Sequence, residues 1–75
     1  MFVAQMNSES YSWIALGETR EQAGEAIRKK WNKRQRNIHK NDPDFEVTIY
    51  KTVEELDNYY GIAYFEMKLG QCEVW

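Results

Sequence analysis

Five stretches of the chain show the alternation of apolar and polar residues, or the short apolar run, that is typical of β-strands. They lie at residues 2–6, 11–16, 45–50, 62–69 and 72–75. The clearest alternation is at 45–50, where Phe45, Val47 and Ile49 are separated by Glu46, Thr48 and Tyr50. This spacing predicts a half-buried strand whose apolar residues face the core and whose Tyr50 points away from it.

Two segments between these stretches carry helix signals. Thr19 is followed three residues later by Gln22, and Thr52 by Glu55, which is the spacing of a capping box. After Thr19, small and apolar residues recur at helical spacing as far as Pro43, which disfavours helical geometry in the residue before it. The second helix is short and ends at Gly61, a natural C-terminal cap.

The element order β-β-α-β-α-β-β predicts an α+β fold. We expect a two-layer sandwich in which one long and one short helix lie on one face of a mostly antiparallel sheet of four to five strands. The chain has 75 residues, 43% of them hydrophobic, with no internal repeat and no linker. A single compact domain spanning residues 1–75 is therefore expected.

The alternation also predicts which side chains face the helices. The odd-numbered residues 63–69 of the later strand are expected to face them, and we consider the case in which Ile14 and Leu16 of the second strand face them too. The four rings left on the open face of the sheet are then Tyr11, Trp13, Tyr50 and Tyr64. An exposed aromatic patch marks a partner site, but the same rings can pair across strands, close a homodimer, or stack bases.

Charge is segregated along the chain although the net charge is only −2. Residues 20–40 carry eight positive and two negative charges, and residues 41–75 carry two positive and eight negative ones. In the long helix, one stripe of four cations at i, i+4, i+7 and i+11 is able to follow phosphates; it comprises Lys29, Lys33, Arg36 and Lys40. A solvated helix face that complements the helix dipole explains the same stripe.

The acidic half offers a second candidate surface. Glu54, Glu55 and Asp57 lie on the short helix, and Asp42 and Asp44 flank the proline. Such carboxylates are able to imitate a run of phosphates and to bind a cationic site on another protein. They also act as helix N-terminal acids and as turn residues, which requires no partner.

Few residues offer bond-making chemistry. His39 and Cys72 are the only histidine and cysteine, too few for a structural zinc site within one chain, and no phosphate-binding glycine loop is present. We therefore expect no enzyme, no metal and no cofactor. The sequence has no secretory signal, no membrane span and no disulfide pair, which predicts a cytoplasmic protein.

Two resemblances bear on function. Residues 17–23, which follow two strands and have the pattern Gly-acidic-Thr-x-x-x-Ala, resemble the entry into the first helix of HicB-type antitoxins, although the Pro-Asp-Leu-Pro-Gly-Cys segment of those proteins is missing. The whole chain, being small, acidic and aromatic-rich, is similar in character to phage-encoded anti-CRISPR inhibitors. That resemblance implies a protein that blocks a host nuclease complex by surface contacts or DNA mimicry.

The sequence thus favours a non-enzymatic inhibitor that binds another protein. A nucleic-acid-binding module using the basic helix, and a self-associating antitoxin-like or structural protein, are the alternatives.

Overall fold

The computed structural model describes residues 1–9 and 11–67 and confirms the α+β class. In this part of the chain the elements are strands β1 (Phe2–Asn7) and β2 (Ser12–Gly17), helix α1 (Arg20–Asn41), helix α2 (Val53–Tyr60) and strand β3 (Ile62–Glu66). The predicted strand at 72–75, its preceding turn and Cys72 lie outside the described residues.

The three described strands form one antiparallel sheet with β1 in the centre, in the order β2-β1-β3. Ala4 is in register with Ala15 of β2 and Tyr64 of β3, and these residues share one face because paired residues in a sheet point to the same side. The predicted four to five strands are not found within 1–9 and 11–67.

Both helices pack on this face of the sheet, here called the inner face. The buried cluster joins Ala4 and Met6 of β1 to Ile27 and Trp31 of α1 and to Leu56 of α2. Gly24 sets the approach of the layers: a Cβ atom there would lie 2.6 Å from the Tyr64 hydroxyl oxygen and 2.9 Å from a Val53 methyl carbon. The absence of a side chain at Gly24 therefore lets α1 approach Tyr64 of the sheet and Val53 of α2 closely.

The helix ends follow the sequence signals. The Thr19 hydroxyl accepts a hydrogen bond from the Gln22 amide at 3.1 Å, and the Gln22 side chain accepts one from the Glu18 amide. The Thr52 hydroxyl accepts from the Glu55 amide at 3.2 Å. Gly61, at φ 79°, ends α2 in a backbone conformation that disfavours residues with a Cβ.

The predicted strand at 45–50 is wrong. This segment is irregular and follows α1 instead of joining the sheet. Its backbone groups bond to α1 side chains: Asn32 donates to the Tyr50 carbonyl and accepts from the Tyr50 amide, and Trp31 Nε1 donates to the Thr48 carbonyl at 3.1 Å. These bonds take the place of the backbone bonds to a neighbouring strand. The alternating apolar side chains are therefore not turned towards the core as they would be in a strand, and Phe45 is 53% exposed.

The predicted facing of the sheet is inverted. Ile14 and Leu16 are 61% and 62% exposed on the outer face, opposite the helices, whereas Trp13 packs against the core. Tyr64 packs against the same core, so its predicted outward position is wrong as well. In β3 the residues on the outer face are Ala63 and Phe65, which are in register with Gln5 and Val3 of β1, so their predicted inward position is wrong.

Candidate functional site

The basic half of α1 extends beyond the part of the helix that packs on the sheet. All of its buried residues lie between Ala23 and Asn32. The nine residues that follow contain no buried side chain and carry Lys33, Arg34, Arg36 and Lys40. The helix has 22 residues and is about 33 Å long, whereas a six-residue strand spans about 20 Å. Its cationic end therefore extends past the length of the sheet strands.

A groove of about 460 Å³ lies between this part of α1 and strand β2. We call it the cationic groove; its walls include Lys30, Lys33 and Arg34 from α1 and Tyr11, Ser12 and Trp13 from the β2 side. The Arg34 guanidinium carbon lies 4.2 Å from the centre of the Tyr11 ring, a cation–π contact that holds the arginine at the mouth of the groove.

Within the part of the chain that the structure describes, no cation of this groove forms an ion pair. Among the described residues, the only ion pair shorter than 4 Å joins Arg28 to Glu25 at 2.7 Å. That pair lies nearer the helix start, where its hydrogen bond holds the pKa of Glu25 below its usual value and raises the pKa of Arg28. Lys30, Lys33 and Arg34 therefore keep their charge available for an anionic ligand.

A second groove of about 630 Å³ adjoins the first. We call it the aromatic groove. Its buried or half-buried rings are Trp13, Trp31, Tyr50 and Tyr60, and its exposed rings are Tyr11, Phe45 and Tyr59, which are 52%, 53% and 70% exposed.

The rings around the aromatic groove form a continuous chain. Trp31 is central: its ring centre lies 5.6 Å from that of Trp13, 6.0 Å from Tyr50 and 5.1 Å from Tyr60. Tyr59 extends the chain, 4.7 Å from Tyr60. Burial is the main reason why the pKa values of Tyr50 and Tyr60 are raised, so both rings stay neutral near neutral pH.

The predicted aromatic patch on the open sheet face is therefore wrong. Trp13, Tyr50 and Tyr64 are half-buried against the core on the helix side. Tyr11 is exposed as expected, but it contacts Arg34 of α1, so it too belongs to the helix side. A homodimer that uses the open face of the sheet would therefore not bury these rings in its interface.

The predicted cationic stripe is exposed on α1, but only one of its members reaches the groove. Lys29, Lys33, Arg36 and Lys40 are all exposed, and Lys33 alone lines the cationic groove. The sequence analysis missed Lys30 and Arg34. Together with Asn37 and Asn41, these two residues form a second stripe on α1. It has the same spacing as the predicted stripe, is shifted by one residue, and lies on the side of α1 that borders β2.

The predicted acidic residues are all exposed, and two of them bond to the backbone at the ends of α2. Asp57 accepts a hydrogen bond from the Ile62 amide at 2.6 Å and Glu55 accepts one from the Lys51 amide at 3.4 Å, so both contribute to the ends of α2. Glu54 is exposed in the first turn of α2. Asp42 and Asp44 follow the end of α1, roughly 15 Å along the helix from Asn32, where the chain returns towards α2.

Among the described residues, the other side chains that are able to bind a metal ion do not form a cluster. His39 is exposed in the last turn of α1. Within 1–9 and 11–67, no three His, Cys, Asp or Glu side chains come together in a group that fits a metal ion. In the same ranges, neither helix has the length and apolar character that crossing a membrane requires.

The chain matches no protein-family model, no curated protein and no solved structure. The two grooves and their charges therefore carry the functional argument.

Proposed function

We propose that this protein binds nucleic acid through the basic half of α1. The observation that carries the proposal is the cationic groove, in which Lys30, Lys33 and Arg34 line one cavity and, among the described residues, form no ion pair within 4 Å. Lys30 and Arg34 are one turn apart, about 6 Å along the helix axis, so they can contact neighbouring charges of a polyanion. Lys29, Arg36 and Lys40 add charge on the exposed side of the same helix.

The segregation of charge supports this orientation. Residues 41–75 carry six more negative than positive charges, so they repel a polyanion from the rest of the molecule. The field then directs a strand of phosphates towards α1, the one strongly positive segment. The net charge of −2 is compatible with local binding because contacts within a Debye length, about 10 Å at 0.1 M salt, dominate the interaction.

Salt dependence is the first test. Each phosphate contact releases counterions, and three contacts to a single strand give a slope of about −2 in a plot of log K against log salt concentration. The affinity should therefore fall by about 20-fold between about 50 and about 200 mM salt, or by more if the outer cations take part. Fluorescence anisotropy of labelled oligonucleotides measures this directly.

A matched pair of charge reversals locates the contact. Lys33→Glu and Lys51→Glu change the net charge equally, and both lysines are exposed, but only Lys33 lines the cationic groove. We expect Lys33→Glu to weaken binding by at least 10-fold, about 1.4 kcal/mol, and Lys51→Glu to change it far less. Absence of binding at about 50 mM salt, or equal effects of the two variants, would contradict the proposal.

A protein-binding inhibitor, of the kind that blocks a host nuclease complex, is the second candidate. The observation that favours it is the outer sheet face, where Ile14 and Leu16 are more than 60% exposed. Exposed aliphatic pairs are common at protein contacts, and the exposed carboxylate of Glu54 offers a separate anionic contact. A partner recovered by the native protein should be lost with Ile14→Asp and Leu16→Asp combined, or with Glu54→Lys; retention by both variants would remove this candidate.

A further inference from the structure

The cationic groove and the aromatic groove share one wall. Tyr11, Trp13, Arg34 and Ile38 line both of them. On one side of this wall lie Lys30 and Lys33; on the other lie aromatic rings. A ligand that crosses the wall therefore meets positive charge and aromatic surface side by side.

We propose that the nucleic acid bound by this protein is single-stranded, with phosphates in the cationic groove and one or more bases stacked in the aromatic groove. This inference rests on the proposed function and specifies its ligand class. A single strand presents phosphates along one side and the faces of unstacked bases along the other. A duplex covers its base faces, so it can use the first groove only.

The exposed rings provide the stacking surface. Phe45 and Tyr59 are 53% and 70% exposed at the aromatic groove, and each leaves ring surface available to a base. Trp13 and Trp31 lie deeper and contact each other, which gives the groove a rigid aromatic floor. Removal of a ring that stacks on a base weakens single-strand binding by about 5- to 150-fold.

Two carboxylates separate the roles of the grooves. Glu9 and Glu46 line the aromatic groove and are absent from the cationic one. Their charge repels phosphates from the aromatic side, and their oxygens are able to accept hydrogen bonds from exocyclic base amino groups such as that of cytosine. This arrangement fixes which side of a strand enters which groove.

Phe45 is the residue whose substitution tests the stacking. It is exposed and outside the buried cluster, so its truncation should leave the fold intact. Ile49 belongs to the same segment, is 42% exposed and does not line the groove, so Ile49→Ala is a matched control. Phe45→Trp keeps an aromatic face, and Phe45→Leu keeps an apolar side chain without one.

The experiment measures anisotropy for short oligothymidylate, short oligouridylate and a DNA duplex of equal length, at several salt concentrations. We expect single strands to bind at least 10-fold more tightly than the duplex, and quenching of the fluorescence of Trp13 and Trp31 on binding. Phe45→Ala and Phe45→Leu should weaken single-strand binding by about 5-fold or more without changing the salt slope, whereas Phe45→Trp and Ile49→Ala should not. The two single strands together show whether DNA, RNA or both are bound.

The outcomes separate this inference from the proposed function. Equal affinity for duplex and single strand, or equal effects of Phe45→Ala and Ile49→Ala, would overturn the single-strand inference, while loss of binding in Lys33→Glu would still support the cationic groove. Absence of binding to all three nucleic acids would overturn both. A salt slope that changes in Phe45→Ala would also count against the assignment, because Phe45 contacts no phosphate in it.

Discussion

Asn32 holds the irregular segment 45–50 to the long helix, and its replacement by alanine should be one of the most damaging single changes in this protein. The side chain is only 2% exposed. Its amide nitrogen donates to the Tyr50 carbonyl at 2.8 Å, and its oxygen accepts from the Tyr50 amide at 3.0 Å. The two bonds imitate a strand partner at Tyr50, beside the Trp31 bond to the Thr48 carbonyl.

The size of the effect follows from what Asn32→Ala leaves behind. The Tyr50 carbonyl keeps the Arg28 guanidinium as a donor at 3.0 Å, so the loss at that atom is about 1 kcal/mol. The Tyr50 amide has no other described partner, and an unsatisfied amide costs about 1–3 kcal/mol. Alanine favours the helix by a few tenths of a kcal/mol, up to about 0.7. The free energy of unfolding should therefore fall by about 2–3 kcal/mol.

Urea denaturation and thermal denaturation measure this loss. A domain of 75 residues is stabilised by about 4–11 kcal/mol in total, so Asn32→Ala removes a large fraction and should lower Tm by roughly 10–20 °C. Asn37→Ala is the matched control, because Asn37 is an exposed asparagine in the same helix. The reasoning would be refuted if Asn32→Ala and Asn37→Ala had the same stability, or if the Tyr50 amide exchanged at the same rate in both variants.

Three further outcomes are expected. Gly24→Ala should lower the free energy of unfolding by about 1–3 kcal/mol, although alanine favours a helix more than glycine does. Adding Tyr64→Phe should restore part of the loss, because the Tyr64 hydroxyl is the atom nearest to the new methyl group. If urea denaturation showed no such rescue, this explanation would be contradicted. Burial raises the pKa of Tyr50, Tyr60 and Tyr64, so the folded state holds these protons more tightly and Tm should be level from neutral pH to about 10 and fall above it. Thr52→Ala should cost about 1 kcal/mol through loss of the α2 cap, as checked by urea denaturation.

Local sequence signals predicted the parts of the fold that depend on neighbouring residues. The caps at Thr19 and Thr52 and the stop at Gly61 were readable because each satisfies backbone groups within a few positions. The three described strands were located from the pattern of apolar and polar residues within each strand, which is also a local signal. The α+β class followed from their order.

The facing of β2 was not readable, because both of its faces are apolar. Ile14 and Leu16 alternate with Trp13 and Ala15, so periodicity favours neither side. The choice is made by packing at a distance: the Trp13 ring contacts Trp31 on α1, a partner eighteen positions away in the chain. The inverted facing of β2 follows from this ambiguity.

The grooves were not predicted because they depend on the same long-range placement. The spacing of Lys29 and Lys33 equals that of Lys30 and Arg34, and only the position of β2 decides which pair borders a cavity. The segment 45–50 has the cleanest alternation in the chain, yet Asn32 and Trp31 supply its hydrogen bonds, and no local pattern records a partner of that kind.

The part of α1 beyond Asn32 should unfold locally more readily than the sheet. Because the helix beyond Asn32 buries no residue, little apolar surface opposes its local unfolding, and its amides should exchange with solvent well before those of β1. Both grooves draw residues from this loosely held end. A bound ligand should therefore slow amide hydrogen exchange in the last turns of α1 and leave exchange in the sheet unchanged. The exchange rates of these turns would then show whether the grooves are occupied.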